Sequence, residues 1–210
     1  MRTIQPQVTL ESPIDGEAII RFIEKIGRVC YKSEDRIAEE SAEKFIKSII
    51  RRGHESVIEH VSVSMRVICD RGVSHEIVRH RIASYSQEST RYCNYADSKF
   101  GNELTFINPC FFDEGSDNYS LWRDSMERAE KTYFEMISGG AEPQEARSVL
   151  PNSLKTELVM TMNLREWRHF IRLRTAKASH PQMREVAFMI LSILKANIPV
   201  IFDEFSEAER

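Results

Sequence analysis

Residues 79–92 read Arg79-His80-Arg81-Ile82-Ala83-Ser84-Tyr85-Ser86-Gln87-Glu88-Ser89-Thr90-Arg91-Tyr92. Two arginines flank a histidine. Ser84, Ser86, Ser89 and Thr90 add hydroxyls, Gln87 an amide and Arg91 a third guanidinium. Guanidinium forks pair bidentately with phosphate or carboxylate, and a tyrosine offers a ring face. The run therefore suits a phosphorylated, planar ligand that takes many hydrogen bonds. A solvated basic loop is the plainer reading of a lone Arg-x-Arg, but it accounts poorly for so dense a set. The stretch from Ser84 to Asp97 is polar and non-periodic, and it predicts a functional loop.

Working outward, the elements on either side set the fold class. Ala18, Ile19, Phe22, Ile23 and Ile26 form a helical stripe after the turn residues Ser12-Pro13 and Asp15-Gly16. A second helix is predicted from about Glu39 to Arg52, with Gly53 just past its end. Val61 to Val67 alternates with period 2 and predicts a half-buried strand. Ser74 is the expected cap of a short helix reaching about Arg81. Beyond the central run, Leu104–Ile107 and Thr156–Asn163 are strand candidates. Asp117 to Ser138 predicts a long helix closed by Gly139-Gly140. A short helix is expected between Pro143 and Pro151. Asn163-Leu164-Arg165-Glu166 resembles a capping box for a helix reaching Arg174. Ser179-His180-Pro181-Gln182 opens the last helix, and Pro199 stops it. The sum is an α+β fold: one domain over residues 1–210, with helices around a small, mostly antiparallel sheet.

Composition narrows the classes. The 210 residues are 41% hydrophobic and 29% charged, which suits a globular chain and not disorder. No apolar run approaches about 20 residues, so no membrane span is expected, and Met1 to Pro6 has no apolar signal core. Cys30, Cys69, Cys93 and Cys110 form no CxxC pair. They read as reduced thiols of a cytoplasmic protein, neither a disulfide frame nor a zinc knuckle. The net charge of −3 argues against a general nucleic-acid coat, yet it conceals a skew of 20 Arg to 9 Lys. The eight glycines build neither GxGxxG nor GxxxxGK[ST], so a nucleotide would be held without a Gly-rich loop.

Four of the six histidines lie between His54 and His80. The spacing from His54 to His60 does not stack two ligands on one helix face, and no HExxH accompanies it. No metal is expected, and these histidines read as pocket-wall or structural groups. Two other classes compete with a nucleotide enzyme. One is an Arg-rich nucleic-acid-binding module without catalysis that clamps phosphates with Arg79, Arg81 and Arg91. The other is a metal-dependent hydrolase built on His54, His60 and His80.

Arg79-His80-Arg81 followed by seven residues and Ser89 resembles the RHRx7S signature of the flavin-dependent thymidylate synthases. The likeness extends in order along the chain. Gly53-His54-Glu55-Ser56 through His60, Ala146-Arg147-Ser148-Val149-Leu150-Pro151, Asn163-Leu164-Arg165 and Leu173-Arg174 resemble further family segments. The resemblance implies reductive methylation of dUMP to dTMP. Methylenetetrahydrofolate would give the carbon and NADPH the hydride, passed through FAD. It also implies a homotetramer with active sites shared between subunits, and neither nucleic acid nor membrane as partner.

The roles implied by the resemblance follow by position. Ser56, Arg79, His80, Arg81, Gln87, Asn163, Arg165 and His169 are expected at FAD. Glu76, Arg79, Gln87, Glu88, Ser89, Thr90, Arg91 and Arg147 are expected at dUMP. Arg174 is the expected activating residue beside the uracil, and His54 and Tyr92 lie on the folate or nicotinamide side. Three positions depart from a common family pattern: Glu76 stands for Gln, Gln87 for Glu and His169 for Asn. Cys93 and Ser89 read as a bystander thiol and a positioning hydroxyl, since neither has an evident base.

Overall fold

In a computed structural model, which describes residues 1–205, the chain is an α+β fold. Six strands form in chain order: β1 (Arg2–Ile4), β2 (Gln7–Leu10), β3 (Ser62–Asp70), β4 (Ser84–Gln87), β5 (Thr105–Ile107) and β6 (Lys155–Asn163). Eight helices accompany them: α1 (Gly16–Val29), α2 (Ser41–Arg51), α3 (Arg71–Ile77), α4 (Asp117–Ser138), α5 (Pro143–Ala146), α6 (Leu164–Arg174), α7 (Pro181–Asn197) and α8 (Pro199–Phe202). The main sheet has the order β2-β3-β6-β4, and β1 pairs in parallel with β5. β3 and β6 are antiparallel. The Arg71 N–H bonds the Leu154 carbonyl at one end, and the Leu164 N–H bonds the Val61 carbonyl at the other. Residue numbers therefore rise along one strand as they fall along the other.

Period-2 alternation builds the two long strands. Val63, Met65, Val67 and Cys69 are buried on β3; Thr156, Leu158, Met160 and Met162 are buried on β6. The chain divides into two compact units, neither contiguous in sequence. The first holds residues 1–7, 67–79 and 85–159; the second holds 8–66, 80–84 and the chain from 160 onward. In the first unit, Tyr95, Leu104, Phe106, Met126, Tyr133 and Leu154 form the core. In the second, α1 and α2 pack closely because position 27 is glycine. A Cβ there would lie 2.6 Å from the Phe45 ring. Gly53, at φ +72°, ends the α2 segment in the left-handed region.

Several expectations need correction. Asp70, not Ser74, caps α3: its Oδ1 accepts the Val73 N–H at 2.6 Å. The strand β3 runs on to Asp70 itself, so the helix starts four residues earlier than a Ser74 cap would place it. Ser74 lies inside the helix, and its hydroxyl donates to the Arg71 carbonyl. The expected loop from Ser84 opens with the strand β4 instead. Its Ser-Tyr-Ser-Gln run does alternate between exposed and half-buried residues, but all four side chains carry polar groups, so no apolar alternation marks a strand. β1 and β2 were not predicted at all.

Candidate active site

Helix α6 positions the charged groups of the second unit. Asn163 caps it, with Oδ1 accepting the Glu166 N–H at 2.8 Å. The Glu166 side chain leaves the capping box and turns to His80. Arg165, His169 and Arg172 are exposed, while Trp167, Phe170 and Ile171 face the core. The Trp167 indole N–H donates to the Val63 carbonyl at 3.1 Å, which anchors the helix to β3.

A pocket of about 500 Å³ opens along this helix, lined by Glu55, Glu59, Ile82, Asn163, Arg165, Glu166, His169 and Arg172. Three expected flavin residues, Asn163, Arg165 and His169, therefore meet in one cavity. Arg165 is held by Glu59, with Glu55 at 3.9 Å.

The motif Arg79-His80-Arg81 alternates outward, inward, outward: both arginines are exposed and His80 is 4% exposed. His80 lies along one row of α6, formed by Glu166, Phe170 and Arg174 at helical spacing. Its Nδ1 is 2.8 Å from Glu166 Oε1. Its ring centroid is 4.8 Å from that of Phe170. Its Nε2 lies 3.2 Å from Arg174 Nε, which donates to it. An arginine Nε carries a hydrogen and has no acceptor function. His80 Nε2 is therefore unprotonated, and Nδ1 carries the hydrogen donated to Glu166.

Burial is the main cause that holds the His80 imidazole below its ordinary value; the Glu166 hydrogen bond opposes it and Arg174 adds to it. Folding thus favours neutral His80. Below the ordinary value of 6.5 the unfolded chain binds this proton first, so this contribution is present above 6.5 and is lost as pH falls through the lower, folded value. Urea unfolding at about pH 7.5 and about pH 5.5 should show lower stability at the acidic point, and a smaller drop in His80→Gln. An equal drop in both proteins would remove His80 as the cause.

The ligand atoms of His80, Glu166 and His169 lie within 4.8 Å of one another. Both His80 nitrogens are already engaged, by Glu166 and Arg174. His54 and His60 are exposed and are not part of this group, so the structure does not assemble the trio named for a metal hydrolase.

Glu76, Arg79, Gln87, Glu88, Ser89, Thr90, Arg91, Tyr92 and Arg147 lie in the first unit, and Arg81 lies in the second. The expected flavin residues thus fall mostly in one unit and the expected nucleotide residues mostly in the other. His54 and Ser56 are exposed in the second unit. Gln87 Nε2 donates to Ser74 Oγ and Thr156 Oγ1, each at 3.1 Å. Glu88 accepts from Tyr95 Oη at 2.8 Å and from Lys155 Nζ at 2.6 Å. Burial, reinforced by Glu88, pushes the Tyr95 phenol up, so it stays a donor. Ser89 Oγ accepts the Arg91 N–H, and the Ser89 carbonyl accepts from Tyr92 and Cys93, forming a tight turn. Thr90 is buried, while Arg91, Tyr92 and Arg147 are exposed. Arg91 lies over the Tyr92 ring, 5.3 Å from its centroid.

Sequence reasoning missed Glu166, Tyr95 and Lys155 as site-building groups. Glu166 had a signal: it stands eight residues before Arg174, on the same helical row.

Comparisons with known proteins identify the family. The family described as "Thymidylate synthase complementing protein" matches residues 17–200. A flavin-dependent thymidylate synthase of Pyrococcus furiosus is 37% identical over 180 residues, covering 85% of this chain and 73% of that protein. One from Geobacter sulfurreducens is 31% identical over 200 residues, covering 92% and 83%. Among solved structures, a UMP/dUMP methylase, PolB, from Streptomyces cacaoi, bound with 5-Br dUMP, superposes with a TM-score of 0.80. It is 27% identical, with 98% of this chain and 96% of that one covered. With 184 consecutive positions inside the family's match and relatives of this identity, the chain belongs to the thymidylate synthase complementing protein family.

Proposed function

We propose that this chain is a flavin-dependent thymidylate synthase that methylates dUMP to dTMP. FAD is its bound cofactor, methylenetetrahydrofolate its carbon donor and NADPH its reductant. The observation that carries the proposal is the gathering of Asn163, Arg165 and His169 in one pocket, at the positions that match the family's flavin residues.

The donor set fits a flavin nucleotide. It offers a guanidinium, an amide and an imidazole from one helix end, with exposed Arg81 in the same unit. Arginine supplies the charge that a Gly-rich loop supplies elsewhere. Ser56, Arg79, His80 and Gln87 complete the proposed flavin set. Bound flavin supplies the redox equivalents; the protein supplies orientation and charge.

The nucleotide side rests on Arg91 and Arg147, exposed cations suited to the phosphate. Glu88, Ser89 and Thr90 shape the turn that presents Arg91, and Glu76 is the proposed contact on the uracil side. Arg174 is proposed beside uracil N3 and O2. A fixed guanidinium there favours the ionised ring and raises electron density at C5, the carbon that takes the methyl group. Arginine suits this role because it keeps its proton. His54 and Tyr92 are assigned to the folate or nicotinamide side.

The active form is proposed to be a cytoplasmic homotetramer in which each 210-residue chain acts as one functional domain. Exposed apolar side chains beside the arginines, Ile82 at 67% and Tyr92 at 77%, support burial against another copy. No described helix is long and apolar enough to cross a membrane.

Purified protein should be yellow, with a flavin spectrum that changes on adding dUMP. Colourless protein that takes up no added FAD would sink the proposal.

A further inference from the structure

We propose that Glu166 is a positioning residue for Arg174, acting through His80. The three side chains form one chain of hydrogen bonds within the second unit: Glu166 Oε1 to His80 Nδ1 at 2.8 Å, and His80 Nε2 to Arg174 Nε at 3.2 Å. Each end constrains the other. Arg174 Nε can only donate, so it requires a bare Nε2. A neutral imidazole with a bare Nε2 must carry its hydrogen on Nδ1. The Glu166 carboxylate accepts that hydrogen and so selects this tautomer.

Burial makes the selection firm. His80 is 4% exposed and Glu166 9%, and the Phe170 ring packs against the imidazole. Without Glu166, a buried Nδ1–H would lack this acceptor. The hydrogen would then favour Nε2, where it faces the Arg174 N–H, donor against donor. The guanidinium would lose the contact that orients its Nε edge. Recognition of a planar ligand falls to the Nη edges, whose plane is set by how Nε is held.

The role assigned to Arg174 rests on the proposed thymidylate synthase function; the tautomer does not. The experiment therefore reads both. In flavin-loaded, 15N-labelled protein, the His80 imidazole resonances should show a protonated Nδ1 and a bare Nε2. Resonances lost in His80→Gln identify them. In Glu166→Ala the hydrogen should move toward Nε2. kcat for dTMP formation should fall on the order of ten- to a hundredfold, as for other carboxylate–histidine pairs, with flavin content unchanged. Glu166→Gln keeps an oxygen acceptor for Nδ1–H and should restore the wild-type tautomer and kcat to within about threefold. Thermal melting of each variant separates this effect from loss of the fold.

A wild-type Nε2–H tautomer would overturn the proposal. So would wild-type kcat in folded Glu166→Ala, or folded Glu166→Gln no better than Ala. If the wild-type protein makes no dTMP, the functional reading fails alone, and the nitrogen spectra of the two variants still decide the relay.

Discussion

Arg174→Ala should lose dTMP formation on the order of a hundred- to a thousandfold while retaining its flavin. The size follows from removing one fixed charge that acts where charge develops. Flavin should remain because the residues lining the α6 pocket do not include Arg174. Arg174→Lys should recover little: an ammonium keeps the charge but has no planar fork, and its geometry does not reproduce Nε donating to His80. The checks are steady-state product formation and the flavin absorbance per chain. Full turnover in Arg174→Ala would remove this residue from the mechanism. Loss of flavin together with turnover would make it a cofactor residue instead.

The second large effect concerns stability. Arg168 is 2% exposed, on the core side of α6. Its Nε and Nη2 donate to Glu55 Oε1 at 3.2 and 3.1 Å. It also donates to the Ile201 carbonyl and to Glu204, and its guanidinium lies 5.3 Å from the Phe205 ring centroid. Arg168→Met keeps the apolar stem but strands the Glu55 carboxylate and the Ile201 carbonyl, while Glu204 stays open to water. Breaking a buried pair from one side costs about 3–5 kcal/mol. Denaturant titration should show a loss in that range. Arg21→Met, whose pairing with Glu17 has both side chains more than half exposed, should change stability by less than about 1 kcal/mol. Equal effects would mean that burial does not set the value of these ion pairs.

The 20 arginines divide between ligands and the fold itself. Six arginines carry proposed ligand roles. Others serve the fold. Arg28 donates from both Nε and Nη2 to Glu24, which is 1% exposed and also accepts from Ser41. Arg66 pairs with Glu11 at the surface and serves the fold without a buried partner. Planar forks thus satisfy buried carboxylates as well as the anions proposed here.

The parts of the fold legible in sequence were those with local signals. α4 runs from Asp117 to Ser138, the range that its helical pattern and the Gly139-Gly140 stop predict. α1 starts at Gly16, at the turn residues read there, and its apolar stripe lies within it. β1 and β2 were illegible because three or four residues carry too little periodicity; β1 is defined by its distant partner β5, with Arg2 opposite Thr105. The site divides in the same way. The motif residues were recognisable by type and spacing. Glu166 shares the helical row of Arg174, but its local pattern also describes a helix cap, and only folding brings His80, 86 positions away, to its carboxylate.

The interleaving of the two units has a consequence for how the chain can be divided. Each is made of three separate stretches, and the chain passes from one to the other inside β3, between Arg66 and Val67, and inside β6, between Val159 and Met160. No single cut releases either unit whole. Neither the proposed flavin half nor the proposed nucleotide half can be excised as one continuous segment, so joining two whole pieces end to end would not give this chain order.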